Sequence, residues 1–324
     1  MSRIPKIIHQ TWKSHDLPEK YIKLVNSWKN KHPDWEYKLY DDHDCIEFIQ
    51  KYYHELFDTY QSLEEPVMKA DMFRYLIVYH FGGLYADLDT EALKSFDELL
   101  NGNSKMIIGV ELEFDNTILL KMAPVYNNFY KKNNLNKQYI QYCFLSEAKN
   151  PLLLEIAKEI ARDKHKVFDS IKHANTIIKT GPGIFSKIVQ KYINNGYPIK
   201  VLDTKYFSGI RSAIKHYLFG INNPAKESYI KHYEMSSWRG QNDLVYTLAS
   251  CLILGLLITI IVFFIYGIVY YFKCKKRGKR CLNKKIYCTI KKVLIIISTI
   301  TLIIILGILI NFAVQDRVYF AFLK

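Results

Sequence analysis

The segment from Pro66 to Asp97 constrains the fold of this chain more than any other, because it combines a helical pattern, a glycine break and a strand-like run. Proline suits the first position of a helix, and the pair Gly82-Gly83 is typical of a helix end. After the glycines, apolar and polar residues alternate up to Asp89, which is the period of a strand. The segment therefore predicts a helix, a sharp turn and a strand in direct succession.

Four of the charged residues in this segment are candidates for catalysis: Asp71, Arg74, Asp87 and Asp89. Asp71 and Arg74 are spaced to share one face of the predicted helix. Asp87 and Asp89 are spaced to project from one side of the predicted strand, about 7 Å apart. Such a pair of like charges favours a hard divalent cation, Mn²⁺ or Mg²⁺. Asp-x-Asp is also common in solvated loops, so the preceding helix and glycines are what favour a metal site here.

A wider pattern surrounds these residues: Lys69-Ala70-Asp71, Arg74-Tyr75, Tyr79, Gly82-Gly83, Tyr85 and Asp87-x-Asp89. It resembles the sugar-binding region of glycosyltransferases that carry a DXD motif. More narrowly, it is similar to the mannosyltransferases that act on inositol phosphoceramide and to the initiating α-1,6-mannosyltransferases of N-glycan outer chains. The opening IPKIIHQTWK and the later HPDWEYKLYDD also match. The resemblance is strong from Ile4 to about Leu100 and weak beyond.

The resemblance implies an α/β domain of the GT-A-like (Rossmann-like) type that transfers a hexose from a nucleotide sugar with retention of configuration. GDP-mannose is the first expected donor. Asp89, and Asp87 directly or through water and ribose, are expected to hold Mn²⁺ or Mg²⁺ across the diphosphate, while Asp71 and Arg74 orient the sugar and diphosphate. Further residues expected to bind the donor are His9, Gln10, Thr11, Trp12, Tyr75, Gly82, Gly83, Thr180, Gly181 and Trp238.

Ile7 and Ile8 predict a buried first strand, and in open α/β folds such strands deliver the residues at their carboxyl ends to a ligand crevice. Packing under the next helix is an equally good interpretation of His9 and Trp12. A helix after Pro18 and a strand from Trp35 follow, which predicts a parallel βαβ unit.

Other polar residues have two interpretations each. Asp41 and Asp42 are metal ligands or, as we favour, the cap of a following helix. Glu111 contacts an acceptor or is an ordinary surface carboxylate. The turn Thr180-Gly181-Pro182-Gly183 binds the donor or acceptor, or is a rigid turn alone. His232 completes a metal site with the two aspartates, or it and Trp238 anchor the chain near a membrane.

The formal net charge of +14 is concentrated in a short basic stretch between two long uncharged runs, so a membrane is a better partner than nucleic acid. Each uncharged run exceeds the ~20 residues that cross a bilayer. The predicted organisation is a glycosyltransferase domain at 1–240, transmembrane helices at 244–272 and 293–314, a basic loop at 273–292 and a short tail at 315–324.

The basic loop is expected to face the cytosol, which places the catalytic domain in the lumen of the Golgi or endoplasmic reticulum. A lipid or glycan acceptor close to the membrane surface fits this placement. No signal peptide pattern precedes Ile4 and no glycosylation sequon is present, so two alternatives stay open: an N-terminal anchor is missing from this chain, or the domain is cytosolic. A scaffold without turnover and a two-carboxylate metal hydrolase are the alternative functions, and a Cys45–Cys143 pairing is undecided.

Overall fold

In the computed structural model, the residues that the structure describes are 4–113, 124–162, 172–207 and 226–233, together with Gly255. The chain divides into two compact units, Met1–Met235 and Ser236–Lys324, and all described residues except Gly255 belong to the first. Apart from Gly255, the predicted transmembrane segments, basic loop and tail lie outside the described residues, as does Trp238. Among the helices in the described ranges, none combines the length and apolar character needed to cross a membrane.

Nine strands can be followed in the described ranges. In chain order they are β1 (Ile7–Thr11), β2 (Glu36–Tyr40), β3 (Gly83–Ala86), β4 (Thr90–Ala92), β5 (Met106–Glu113), β6 (Lys137–Tyr139), β7 (Cys143–Ser146), β8 (Ile199–Leu202) and β9 (Ile230–His232). Seven of them form a sheet in the order β2-β1-β3-β7-β5-β6, with β8 paired to β5. The sheet is mixed: β1 is parallel to β2 and to β3, whereas β7 is antiparallel to β3 and to β5. Strands β4 and β9 form a separate antiparallel pair.

Helices connect and cover these strands. In chain order they are α1 (Glu19–Lys31), α2 (Asp42–Tyr52), α3 (His54–Ser62), α4 (Pro66–Phe81), α5 (Pro124–Lys132), α6 (Pro151–Arg162), α7 (Lys172–Lys179) and α8 (Pro182–Asn194). Short 3₁₀ turns occur at Asp97–Leu100 and Thr204–Tyr206. The alternation of strands and helices around a mixed sheet confirms the predicted α/β class.

Side chains alternate across the sheet, so its two faces cover separate hydrophobic cores. Tyr85 of β3 and Phe144 of β7 belong to the core that contains helix α4. Their neighbours Leu84 and Leu145 belong to the core on the other face, with Trp28 of α1. This separation follows from the two-residue period of a strand, which sends successive side chains to opposite faces.

The predicted βαβ unit is confirmed, since β1 and β2 pair in parallel on either side of α1. Helix α1 buries an apolar face made of Tyr21, Leu24, Val25 and Trp28, and Trp28 is fully buried. Asp41 forms a capping box with Asp44 at the start of α2, so the helix-cap interpretation of Asp41 is confirmed. Cys45 and Cys143 are both buried and free, so no disulfide joins them.

Helix α4 and the glycines after it also match the prediction. Pro66 lies in the first turn, and the helix ends at Gly82, whose φ is +71°. Gly83 has a φ of +101°, and a Cβ atom built there would lie 2.5 Å from the Ile7 carbonyl oxygen. A side chain at position 83 would therefore be strained and would hold β3 away from β1.

We expect Gly83→Ala to destabilise the fold by roughly 2–5 kcal/mol, because the strain of a left-handed backbone adds to the cost of overpacking against β1. Gly196→Ala is the matched control, because Gly196 also has a positive φ of +74° but has open space around it. Its expected cost is about 1–2 kcal/mol, from the backbone alone. Urea unfolding of both variants measures the difference, and equal losses would contradict the close approach of β3 to β1.

Candidate active site

Asp87 and Asp89 lie in a turn between β3 and β4, so the prediction that they belong to a strand is wrong. Strand β3 ends at Ala86. The backbone N–H and the hydroxyl of Thr90 both donate to the Asp87 carbonyl oxygen, and the N–H does so at 3.1 Å. This hydrogen bonding closes the turn, in which a carboxylate oxygen of Asp87 lies within 4.8 Å of one of Asp89.

His232 joins these two carboxylates. The antiparallel pairing of β4 with β9 sets Thr90 opposite His232, next to Asp89. The Nε2 atom of His232 lies 3.3 Å from an oxygen of Asp89. Asp87, Asp89 and His232 each offer one ligand atom, and these atoms all lie within 4.8 Å of one another. Two carboxylates and an imidazole form a donor set suited to Mn²⁺, so these residues fit a divalent cation.

Arg74 connects the metal-ligand cluster to helix α4. Its guanidinium is buried between two carboxylates, 2.9 Å from an oxygen of Asp71 and 3.2 Å from an oxygen of Asp87. It also lies over the ring of Tyr85, at 4.8 Å from the centroid. The predicted grouping of Asp71 and Arg74 on one helix face is confirmed, and this face turns towards the Asp-x-Asp motif.

Asp71, which pairs with Arg74, is only 1% exposed. The hydroxyl of Thr180 donates to one of its oxygens at 2.8 Å, and the amide of Gln141 donates to the other at 3.1 Å. Burial raises the pKa of Asp71 to about 6, against the opposing effects of the Arg74 charge and the Thr180 hydrogen bond. Both carboxylate oxygens of Asp71 therefore have partners within the protein, and Asp71 forms a buried ion pair that fixes Arg74.

The main chain of Asp87 is held from two sides. The side-chain amide of Gln10 donates to its carbonyl oxygen at 3.2 Å, and its N–H donates to the carbonyl oxygen of Tyr142 at 2.8 Å. Burial raises the pKa of the Asp87 carboxyl; Arg74 opposes this shift and the charge of Asp89 adds to it. A bound cation would favour the ionised carboxylate, because it neutralises the repulsion between the two aspartates.

The donor-binding residues predicted at the first strand divide into two groups. His9 is fully buried; its Nδ1 is paired with the Tyr40 hydroxyl and its Nε2 with the Gly82 carbonyl oxygen. Burial lowers its pKa to about 4, so it is neutral and fits the packing interpretation. Thr11 is partly exposed and pairs with the Tyr85 hydroxyl at 3.2 Å. Trp12 is also partly exposed, so both remain candidates for ligand contact.

Tyr75, Thr180 and Gly181, which were also predicted to bind the donor, are buried. The hydroxyl of Tyr75 is buried within hydrogen-bonding distance of Gln141 and the Thr180 carbonyl oxygen. Thr180 itself is fully buried. Gly181 begins helix α8, and a Cβ atom there would lie 3.0 Å from the Ile177 Cα. The structure therefore gives this turn a supporting contact with Asp71. Gly82 and Gly83 close the approach of β3 to β1, as described above.

Three residues at the site carry no motif that marked them in the sequence. Gln141 and Tyr142 precede β7, and they contact Asp71 and Asp87 respectively. Lys20 lies in the first turn of α1; burial lowers the pKa of its amine, and the negative charge of Asp89 opposes this shift. Only the folding of distant segments brings these side chains together. Glu111, predicted as a possible acceptor contact, accepts a hydrogen bond from Gln138 at 2.6 Å.

Comparison with known proteins shows a similarity over the region that contains the Asp-x-Asp motif. Residues 18–106 match a family described as "Glycosyltransferase sugar-binding region containing DXD motif". The chain carries this region, and the predicted resemblance to DXD glycosyltransferases is confirmed.

Curated relatives narrow the similarity to mannosyltransferases. The chain is 31% identical to "Initiation-specific alpha-1,6-mannosyltransferase" of Candida albicans, over 59% of this chain and 54% of the relative. It is 27% identical to "Inositol phosphoceramide mannosyltransferase 1" of Schizosaccharomyces pombe, over 76% of this chain and 66% of the relative. The chain thus spans between about half and two thirds of the length of these two relatives.

Among solved structures, "PaToxG Glycosyltransferase" is similar with a TM-score of 0.42 and 19% identity, over 59% of this chain and 71% of that one. The galactosyltransferase LgtC in complex with donor and acceptor sugar analogs is similar with a TM-score of 0.39 and 9% identity, over 72% and 88%. Both similarities are distant, so no feature of these structures is transferred to this chain.

The hydrogen bond from Thr180 to Asp71 is testable by an isosteric substitution. We expect Thr180→Val to lower the free energy of unfolding by about 1–3 kcal/mol, because it leaves a buried carboxylate oxygen without its donor. Thr204→Val is the matched control, since it removes an exposed hydroxyl that donates to Asp203 at 3.0 Å. We expect it to change stability by less than about 0.5 kcal/mol. Similar losses in the two variants would contradict the role of Thr180.

The same bond predicts a pH dependence. The folded-state pKa of Asp71, about 6, lies above the value of about 3.9 for an unfolded aspartate. Protonation of Asp71 therefore favours folding below pH 4, and this contribution is lost as the pH rises through 6. Thr180 stabilises the ionised form, so the loss of stability in Thr180→Val is expected to be larger at pH 8 than at pH 5. Urea unfolding at the two pH values measures it, and an opposite trend would contradict the assignment.

Proposed function

We propose that this chain is a metal-dependent, retaining glycosyltransferase that transfers a hexose from a nucleotide sugar to a membrane-associated acceptor. Mannose from GDP-mannose is the first expected donor, and inositol phosphoceramide the first expected acceptor. The observation that carries the proposal is the convergence of Asp87, Asp89 and His232 beside the buried Arg74. Except for His232, these residues lie within the region that matches the DXD glycosyltransferases.

The chemistry follows from the charges at this point. Mn²⁺ or Mg²⁺ held by Asp87, Asp89 and His232 would supply Lewis-acid stabilisation of the charge that develops on the leaving nucleotide. Arg74 is a buried cation 3.2 Å from Asp87, and its charge favours the ionised, ligating form of this carboxylate. Asp71 fixes the guanidinium of Arg74 through their ion pair on helix α4. A front-face route for a retaining enzyme demands no general base, so none is assigned.

The donor site is proposed at the carboxyl ends of β1 and β3. These two strands are parallel neighbours, so Thr11 and the Asp-x-Asp turn emerge at the same edge of the sheet. In open α/β sheets this edge is the place where nucleotides bind. A GT-A-like arrangement, with Thr11 and Trp12 towards the nucleoside and Asp87 and Asp89 towards the diphosphate, is consistent with this geometry.

The acceptor class is supported by the relatives, which point in two directions. Over 30% of this chain, the identity to "Inositol phosphoceramide mannosyltransferase 3" of Schizosaccharomyces pombe is 43%. The relative named for initiation-specific α-1,6-mannosyl transfer is 31% identical over 59% of this chain. A glycan acceptor, with another nucleotide sugar as donor, is therefore the second candidate function. The assembled metal-ligand cluster favours both over a scaffold without turnover.

We place the enzyme in a membrane of the Golgi or endoplasmic reticulum. Two uncharged runs flank a basic stretch in the sequence, which is the pattern of two spans joined by a cytosolic loop. This orientation puts the catalytic domain in the lumen, although a cytosolic domain is the alternative. In either case, the short segment of sequence between the proposed domain and the first uncharged run favours an acceptor in the membrane surface.

A donor screen tests the proposal directly. GDP- and UDP-sugars are incubated with the full chain and Mn²⁺, against inositol phosphoceramide and mannoside acceptors. We expect transfer of mannose from GDP-mannose that stops when a chelator removes the metal, since the leaving diphosphate then lacks its counter-charge. Transfer that continues in chelator would overturn the metal dependence, and the absence of binding by every donor would overturn the proposed activity.

Substitution of one ligand separates metal binding from folding. We expect Asp89→Ala to abolish Mn²⁺-dependent donor binding while leaving the unfolding midpoint close to that of the unaltered chain, because Asp89 is partly exposed. Asp58→Ala is the control, since Asp58 is an exposed aspartate on α3 and outside the metal-ligand cluster. Isothermal titration with donor and Mn²⁺ measures the effect. An unaltered donor affinity in Asp89→Ala would exclude Asp89 as a ligand.

A further inference from the structure

Tyr142 contacts two of the three residues in the metal-ligand cluster, although it lies outside the Asp-x-Asp segment. Its ring stacks on the imidazole of His232, with centroids 4.0 Å apart and planes 27° apart. Its carbonyl oxygen accepts the backbone N–H of Asp87 at 2.8 Å. The residue is only 6% exposed, so these contacts are made in the interior of the fold.

We propose that Tyr142 is a positioning residue for the divalent cation: its ring sets the orientation of the His232 imidazole, and its carbonyl oxygen sets the main chain of Asp87. This inference rests on the proposed function, since it concerns the same metal site. Tyr142 needs no contact with the donor or the acceptor for this role. It acts through the two ligands that it touches.

The imidazole needs such support because strand pairing alone does not orient it. The hydrogen bonds between β4 and β9 place the backbone of His232 opposite Thr90. They leave the rotation of the ring about χ2 free, and for histidine this torsion has broad minima. A stacked neighbour restricts the rotation, because the ring loses its face-to-face contact when it turns. The stacked orientation leaves Nε2 close to Asp89, at 3.3 Å from a carboxylate oxygen.

Tyr142 is suited to this task because the central sheet holds it. It directly precedes β7, whose Cys143 pairs with Ala86 at the end of β3. The hydrogen bond from Asp87 to Tyr142 continues this antiparallel pairing by one step. The Tyr142 ring therefore fixes the His232 imidazole relative to β3 and β7, although His232 lies on a separate strand of three residues.

The preceding residue serves the other half of the site in a similar way. The side-chain amide of Gln141 donates to Asp71 at 3.1 Å. The backbone carbonyl oxygen of Gln141 accepts a hydrogen bond from Arg74 at 3.2 Å. Consecutive residues thus contact the Asp71–Arg74 pair and the metal-ligand cluster.

Metal binding without donor provides the test. Mn²⁺ is titrated into the purified full chain, and free Mn²⁺ is followed by electron paramagnetic resonance. We expect Tyr142→Leu to weaken Mn²⁺ binding by roughly 10-fold, the size of effect usual for residues that orient metal ligands. Tyr142→Phe keeps the ring and is expected to stay within about threefold of the unaltered chain, because the stacking is retained.

Two further variants separate positioning from general destabilisation. Tyr139→Leu removes another buried tyrosine, 3% exposed, whose hydroxyl donates to Gln190 away from the metal-ligand cluster. It is expected to leave Mn²⁺ affinity unchanged. The double variant Tyr142→Leu/His232→Ala is expected to bind Mn²⁺ as His232→Ala alone does, because the ring acts through the imidazole.

The outcomes decide between the two proposals. If the unaltered chain binds Mn²⁺ and Tyr142→Leu binds it equally well, the positioning role is wrong and the metal site stands. The positioning role is also wrong if Tyr142→Phe is as weak as Tyr142→Leu, or if the effects of Tyr142→Leu and His232→Ala multiply in the double variant. If the unaltered chain binds no Mn²⁺, the proposed metal dependence fails, and the role of Tyr142 fails with it.

Discussion

The buried guanidinium of Arg74 is the interaction on which the site depends. Only 3% of Arg74 is exposed, and a charge at such depth is tolerated only when other charges and hydrogen bonds compensate its lost hydration. Asp71 lies on one side of it and Asp87 on the other. A helix of the core and the Asp-x-Asp turn are therefore tied together by one cation. Moving the turn would remove one of the two carboxylates that compensate this buried charge, which favours the observed position.

Two backbone constraints bring Gln10 and His232 to the Asp-x-Asp turn beside the Arg74 guanidinium. Gly83 allows β3 to lie close against β1, which sets Gln10 within 3.2 Å of the Asp87 carbonyl oxygen. The pairing of β4 with β9 then returns a much later segment to the turn and delivers His232. The metal-ligand cluster is thus assembled beyond the carboxyl end of β3, an inner strand of the sheet. Such support matters because small errors in the position of a ligand weaken metal binding.

Local patterns predicted most of the elements near the site. Pro66 and Gly82 bound α4, and Asp41 caps α2, because these signals act within a few residues. The strand through Asp89 was the wrong prediction: alternation of apolar and polar residues continues through the turn, and the hydrogen bonds from Thr90 that end the strand have no signature in that period. For Thr180, the predicted turn is present, but its hydroxyl serves a buried carboxylate on another helix.

The sequence by itself determined the helix, the glycine break, the paired aspartates and the family they resemble, because each is encoded by neighbouring residues. The tertiary structure alone decided which distant groups meet them. Gln141 and Tyr142 carry no motif, and they reach Asp71 and Asp87 only because β7 pairs antiparallel to β3. His232 was suggested by its type, but its approach to Asp89 depends on strand register. Contacts between segments far apart in the chain leave no local pattern, since register and burial are set by the whole sheet.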